Sequence, residues 1–329
     1  MTIESEVRAL PPALAWPVPP SSAAPQPARA GLIEHARRAY AGARKRTLKR
    51  ARFLVRALCS YRLHDAWLQL LEAPPLRPML ARQPLLCTKI QHDYVMSGIG
   101  TAGRLALASG HFETYLRRVP RALTATIYVG SGLRLATIDT GAGRYELRLL
   151  HLPHCWQEGE VSIGLFEDSA LIGCVTFILG EAQAFSASLP HTESALMIGG
   201  IQGLQDGDGQ CVFRRATKAM HGLRPFSLLV HAARVVARSL GAARLLAVAD
   251  AAHALRYKRG KGRIRLSYDA IWLDHGACAT GKRAFELGLA TAQKDLAAIP
   301  SQKRAQYRRR YAMMETVDAD IRAALRTCG

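Results

Sequence analysis

Acidic residues are scarce in this chain: 25 Asp and Glu stand against 45 Lys and Arg in 329 residues, a formal net charge of +20. A surface with that imbalance meets anions, whether nucleic acid, anionic lipid or acidic polymer, and charge alone does not choose among them. Long apolar runs are missing too; none approaches the roughly 18–20 residues that a bilayer span requires. The first segment carries Glu4 and Glu6 and then turns Pro-rich, unlike the basic start and apolar centre of a secretory signal. Cysteine follows no pattern: the seven residues form no C-x-x-C pair, and no histidine stands at zinc-ligand spacing from them. His151 and His154 flank Pro153 beside Cys155, but no third or fourth ligand is near in sequence, so no metal is expected. These absences read as a reduced, cytoplasmic protein whose basic segments leave a peripheral place on a membrane open. No internal repeat is present. Neither a helix-turn-helix nor an RNP-type aromatic pattern is visible, which ranks sequence-specific nucleic-acid recognition below binding of an anionic envelope component or a cofactor.

What is present divides the chain into three parts. Residues 1–28 are dominated by Pro, Ala and Ser and are predicted to be a disordered leader, because such side chains bury too little to offset ordering entropy. Residues 29–58 form a basic helical segment with Arg37, Arg38, Arg44, Lys45, Arg46, Lys49, Arg50, Arg52 and Arg56 against Glu34 alone. It reads either as a helix lying on an anionic surface or as a solvated helix packed on the domain. Residues 59–329 then hold an α+β domain with a central, mostly antiparallel mixed sheet and an N-terminal helical layer. Alternating or apolar runs at Thr124–Val129, Arg134–Asp139, Tyr145–Leu152, Val161–Phe166 and Leu171–Leu179 predict a meander. A strand at Ser194–Ile201, a Gly-rich turn, helices over Cys211–Met220 and up to Leu240, and an apolar strand at Arg244–Ala249 follow. A last strand is expected near Ile264–Leu273, then an irregular stretch around 276–281 and a basic C-terminal helix.

Five segments carry a family resemblance: Glu158-Gly159-Glu160, Ile198 to Gly203, Thr217 to Pro225, Tyr268-Asp269-Ala270-Ile271-Trp272, and Ser301 to Tyr311. Through them the chain resembles the VirK/YbjX family of Gram-negative bacteria over roughly residues 60–322, with Gln302 standing where Lys is expected. The resemblance implies a link to the cell envelope, virulence and resistance to cationic antimicrobial peptides. It carries no established reaction and no catalytic residue. The order strand, Gly-rich turn, helices, strand from Ser194 to Ala254 also resembles the acetyl-coenzyme A site of GCN-five-related acyltransferases (GNAT), which implies a GNAT-like fold and an acyl-coenzyme A cofactor. The phosphate loop departs from that family's pattern, since Asp206 and Asp208 stand in it and would repel a pyrophosphate.

The candidate residues follow from chemistry. An acyl transfer to an amine needs a base, for which Glu160 and His221 are suited. The break His221-Gly222-Leu223-Arg224-Pro225 places a cation and a proline at a helix start, where unpaired N–H groups favour an anion, so Gly222, Arg224 and Pro225, with Gln202 and Gly203 before them, are candidate cofactor contacts. An ordinary interhelical turn explains the same break. Tyr268, Asp269 and Trp272, together with Lys303, Arg304, Arg308 and Arg309 of the C-terminal helix, are candidate substrate or anion contacts, Arg forks being shaped for phosphate and carboxylate oxygens. Packing on one face explains Tyr268 and Trp272 equally, and an ion pair with a neighbouring Arg explains Asp269. Arg256 to Arg265 is a second dense basic cluster suited to a phosphate backbone or a lipid head group.

Overall fold

The computed structural model describes residues 28–141, 143–186, 189–190, 192–204, 208–259, 261, 264 and 266–326. The expected leader therefore lies outside the described residues. The N-terminal layer comprises α1 (Ala28–Ala39), α2 (Arg46–Cys59), α3 (Tyr61–Glu72), α4 (Arg77–Arg82), a 3-10 segment (Pro84–Gln91), α5 (Thr101–Arg118) and α6 (Arg121–Tyr128). The basic segment is two helices rather than one, broken where Lys45 takes a left-handed φ of 59°. Phe53 and Ala57 of α2 join the same hydrophobic core as the rest of the chain, and Gln91 donates to the Phe53 carbonyl at 3.0 Å.

The sheet follows in β1 (Leu133–Thr140), β2 (Gly143–Leu150), β3 (Val161–Glu167), β4 (Ala170–Glu181), and, after the single turn α7 (Ala182–Phe185), β5 (Ser194–Gly203). Then come α8 (Gly209–Ala219), α9 (Pro225–Ser239), β6 (Arg244–Val248), α10 (Arg256–Arg259), α11 (Tyr268–Asp274), β7 (Cys278–Thr280), β8 (Ala284–Leu287) and α12 (Ser301–Arg326). Among the described residues these strands form one sheet in the order β1-β2-β3-β4-β5-β6-β8-β7, antiparallel throughout except for the parallel pair β5 and β6. Successive residues of β3 and β4 are buried on both faces, so helices must cover both sides. Helix α9 packs on β3 to β6, α12 lies across β1 and α9, and α5 packs against β4. The helix from Leu228 to Ala237 is buried all round, as a helix between a sheet and a second helix must be.

Four expectations are corrected. Thr124–Val129, expected as a strand from its β-branched residues, is the second half and C-cap of α6, which follows the N-cap Pro120 and packs on β1 and β2. The strand expected near Ile264–Leu273 is instead α11, capped by Ser267, whose hydroxyl accepts the Ala270 N–H. Tyr268 and Trp272 thus share a face through helical spacing, not through alternation, and the stretch expected to be irregular around 276–281 contains β7, which pairs with β8 just after it. The start of the Gly-rich turn expected after Ile201 is strand as well, since β5 continues to Gly203.

Candidate functional site

The β5–β6 pairing ends early. Its register runs from Ala195 opposite Arg244 to Ile198 opposite Ala247, whereas β5 stays paired with β4 as far as Gly203. The parting coincides with a bulge, because Thr176 faces Gly200 and Phe177 faces Ile198, leaving Gly199 unmatched. Into this gap comes Glu158 from the loop before β3. Gly199 and Gly200 admit it: a Cβ on the first would overlap the Glu158 carbonyl oxygen, and one on the second would overlap its carboxylate.

Three neutral groups, each from a different part of the chain, donate to the Glu158 carboxylate. Gln202 Nε2 donates to Oε2, while His253 Nε2 at 3.0 Å and the Tyr268 hydroxyl at 3.3 Å reach Oε1. The Leu255 N–H donates to His253 Nδ1, so the neutral ring carries its proton on Nε2, facing the carboxylate. Glu158, His253 and Tyr268 are essentially sealed from solvent. Burial, and next the Glu158 charge, push the Tyr268 hydroxyl pKa well up. Beyond β6, Asp250 fixes the start of α11: its carboxylate accepts the Tyr268 N–H at 2.9 Å, the Ser267 hydroxyl at 3.0 Å and the Arg259 guanidinium at 2.6 Å.

Glu160 lies in different surroundings two residues on. Lys89 Nζ at 2.5 Å and the Tyr94 hydroxyl at 2.7 Å both donate to Oε1, and all three side chains are buried. The segment between the two carboxylates is strained. Val95 adopts φ 57°, a left-handed conformation that a β-branched residue rarely takes, and its N–H is held by the Gln157 carbonyl at 2.7 Å. The next residues pair with the turn beyond β6, where Met96 bridges His253 and the Ser97 N–H reaches the Ala252 carbonyl. Tyr94 to Ser97 therefore close over the gap.

Of the residues singled out from sequence, the fold brings Gln202 and Tyr268 to Glu158. Trp272 and Asp269 position them: the Trp272 indole donates to the Val248 carbonyl at 2.9 Å, and the Asp269 carboxylate accepts the Asp250 N–H at 2.7 Å. Gly203 lets the Phe213 ring approach β5 closely. His221 (φ 52°) and Gly222 (φ 78°) form the turn before α9, and the His221 carbonyl accepts two N–H groups of Arg310. Arg310 and Gln306 of α12 occupy the space beside Gly222, so this break is packed against protein. Arg224 is the exposed N-cap of α9, 3.7 Å from the Asp274 carboxylate, and Pro225 is its buried first residue. On α12, Arg304 caps the preceding turn through the Ile299 and Ala297 carbonyls, while Lys303, Arg308 and Arg309 are exposed. Sequence reasoning chose Glu160 and His221 as bases and missed Glu158, His253, which sits beyond the β6 strand, and Lys89. Of the histidines flanking Pro153, His151 is buried against the Glu160 carbonyl and the Gln83 amide, while His154 lies beside Cys155 and Cys174 of β4.

Comparison with known proteins decides the relationship. A family model described as "Protein of unknown function (DUF535)" matches residues 42–323. The chain belongs to the DUF535 family. It is 31% identical over 285 residues to the uncharacterized protein YbjX of Escherichia coli K12, covering 84% of this chain and 83% of that protein. An uncharacterized protein of Haemophilus influenzae is 30% identical over 126 residues, 38% of this chain and 43% of its own length. No solved structure matches. The DUF535 match spans every element that builds the gap, from Lys89 and Tyr94 through Glu158 and Gln202 to His253 and Tyr268. No helix among the described residues is long and apolar enough to cross a membrane.

Proposed function

We propose that the protein is an acyl-coenzyme A-dependent transferase whose site is the gap between β5 and β6. The observation that carries this reading is the buried set Glu158, His253, Tyr268 and Gln202 gathered where the two parallel strands part. Ligands of open sheets bind beyond the carboxyl ends of parallel strands, and the parallel pairing of β5 with β6 ends at this gap. Among the described residues, Gly199 to Gly203 have no strand partner on the side of β6, and Glu158 lies against the first two of them. The order of elements, an antiparallel meander followed by a strand, helices and a parallel strand, is compatible with the GCN-five-related layout that the sequence resembles and supports the reading to that extent.

The chemistry divides among the residues. An amine attacks the thioester carbonyl carbon, and Glu158, oriented by His253 and Gln202, takes the ammonium proton. The C–S bond breaks, the Tyr268 hydroxyl protonates the leaving thiolate, and the proton held by Glu158 passes to the Tyr268 oxygen, restoring both groups. Glu158 replaces Glu160 as base in this scheme because its donors are neutral, whereas the Glu160 charge is already engaged by Lys89. Entry requires the strained Tyr94–Ser97 segment to move. The test is thermal stability with coenzyme A or acetyl-coenzyme A against adenosine diphosphate and phosphate. A ligand at about 100 times its dissociation constant stabilises by roughly 2.7 kcal/mol. A coenzyme-specific shift that survives Glu158→Gln, with release of free thiol lowered by about 10²–10⁴-fold in that variant, is expected of a lost base. A shift shared by every anion, or none, refutes the reading.

A separate surface supports a second reading, docking on anionic lipid. On α2, Leu48, Val55 and Leu58 are more than half exposed, on the side away from buried Phe53 and Ala57. Exposed Lys45, Arg46, Lys49, Arg52 and Arg56 run beside them. An aliphatic stripe next to a cationic one suits an interface with acidic head groups, where each cation contributes about 1 kcal/mol. Replacing Leu48, Val55 and Leu58 together by serine should abolish sedimentation with phosphatidylglycerol vesicles and leave the melting temperature unchanged. Equal sedimentation of the variant rules this face out.

A further inference from the structure

The turn that leads to Glu158 carries a second constellation. Pro153–Cys155 is a short 3-10 turn in which the Cys155 N–H bonds the Leu152 carbonyl, and the Cys155 carbonyl in turn accepts the Glu158 N–H at 2.8 Å. Across from it, Cys174 of β4 lies between Gly164 of β3 and Gln202 of β5 in register. The two thiols are buried and free, with Sγ atoms 3.8 Å apart. The His154 imidazole joins them from the solvent side, so that one ligand atom from each of the three residues lies within 4.8 Å of the others.

We propose that Cys155, Cys174 and His154 bind a zinc ion. Two thiolates, each about 2.3 Å from a tetrahedral ion, stand roughly 3.8 Å from one another, and a nitrogen ligand fits the same polyhedron at a slightly shorter edge. The observed sulfur separation meets that requirement without rearrangement, and it is too long for a disulfide. Soft sulfur with one imidazole selects zinc over magnesium or calcium. Three protein ligands leave a fourth position for water or a small ligand, reached past the exposed His154. The ion would tie the turn before β3 to β4. Glu158 hangs from that turn, and its partner Gln202 is the neighbour of Cys174, so the ion would set where the carboxylate sits. The site rests on its own geometry and stands whether or not acyl transfer takes place.

Cobalt(II) titration of the reduced full-length protein tests it, because cobalt in a tetrahedral thiolate site gives intense charge-transfer and visible bands. One equivalent per chain is expected, bleached by added zinc. The bands should vanish in Cys155→Ser and in Cys174→Ser, and persist when the exposed Cys59, Cys211 and Cys278 are all replaced by serine. Should the buried variants fail to fold, His154→Ala decides, being an exposed position. Loss of a ligand should weaken cobalt binding by more than the roughly 10- to 100-fold that outer contacts contribute. Absent bands, bands lost only with the three exposed cysteines, or unchanged affinity in His154→Ala would overturn the assignment.

Discussion

Replacing Lys89 by methionine should cost about 3–5 kcal/mol of folding stability, measured by denaturant unfolding, because it leaves a buried carboxylate without its counter-ion. The Lys89 and Glu160 side chains are both fully enclosed, 2.5 Å apart, and Tyr94 is the other donor to the same oxygen. Glu160 is sealed from bulk solvent, which would otherwise take over. The reverse substitution is milder. Burial lowers the Lys89 pKa and Glu160 opposes that shift, so in Glu160→Gln the amine can shed its proton rather than stay charged in the core. The double variant Lys89→Met/Glu160→Gln should therefore be more stable than Lys89→Met alone, with a coupling energy well outside the few tenths of a kcal/mol found for independent sites. Strict additivity would mean that the pair contributes nothing specific.

The sheet was largely legible from the sequence, the site only in pieces. Strands β1 to β5 alternate or run apolar between turn residues, and this is the local signal that a strand buried on one or two faces must carry. Thr124–Val129 misled because β-branched residues favour strands only weakly, and packing of α6 on β1 and β2 overrides them. At Tyr268–Trp272 the deciding signal was present but local: Ser267 with Asp269 in the first turn marks a helix start, and it outweighs five residues of apparent alternation. Site assembly left no such mark. Glu158 meets Gln202 across 44 residues, His253 across 95 and Tyr268 across 110, and no periodicity encodes those distances. Glu158-Gly159-Glu160 stood out as wording, yet only the fold distinguishes a carboxylate held by neutral donors from one neutralised by lysine.

Gly199→Ala and Gly200→Ala should differ in kind, although the two residues are adjacent and both sit where β5 leaves β6. At Gly199 an added methyl meets the Glu158 carbonyl. That backbone cannot retreat: the Glu158 N–H is bound to the Cys155 carbonyl, and the Glu160 N–H to the Phe177 carbonyl. The cost should reach or pass the upper end of the ~1–3 kcal/mol typical of overpacking, and no change of the Glu158 side chain should relieve it. At Gly200 the methyl meets the Glu158 carboxylate instead. Shortening that side chain in Gly200→Ala/Glu158→Ala should recover part of the loss, making the pair strongly non-additive in unfolding experiments. Equal rescue at both positions, or at neither, would show that Glu158 does not fill the gap opened by the glycines. Rescue confined to Gly200 would mean that the glycine pair is kept for the carboxylate, and that the strands part in order to hold it.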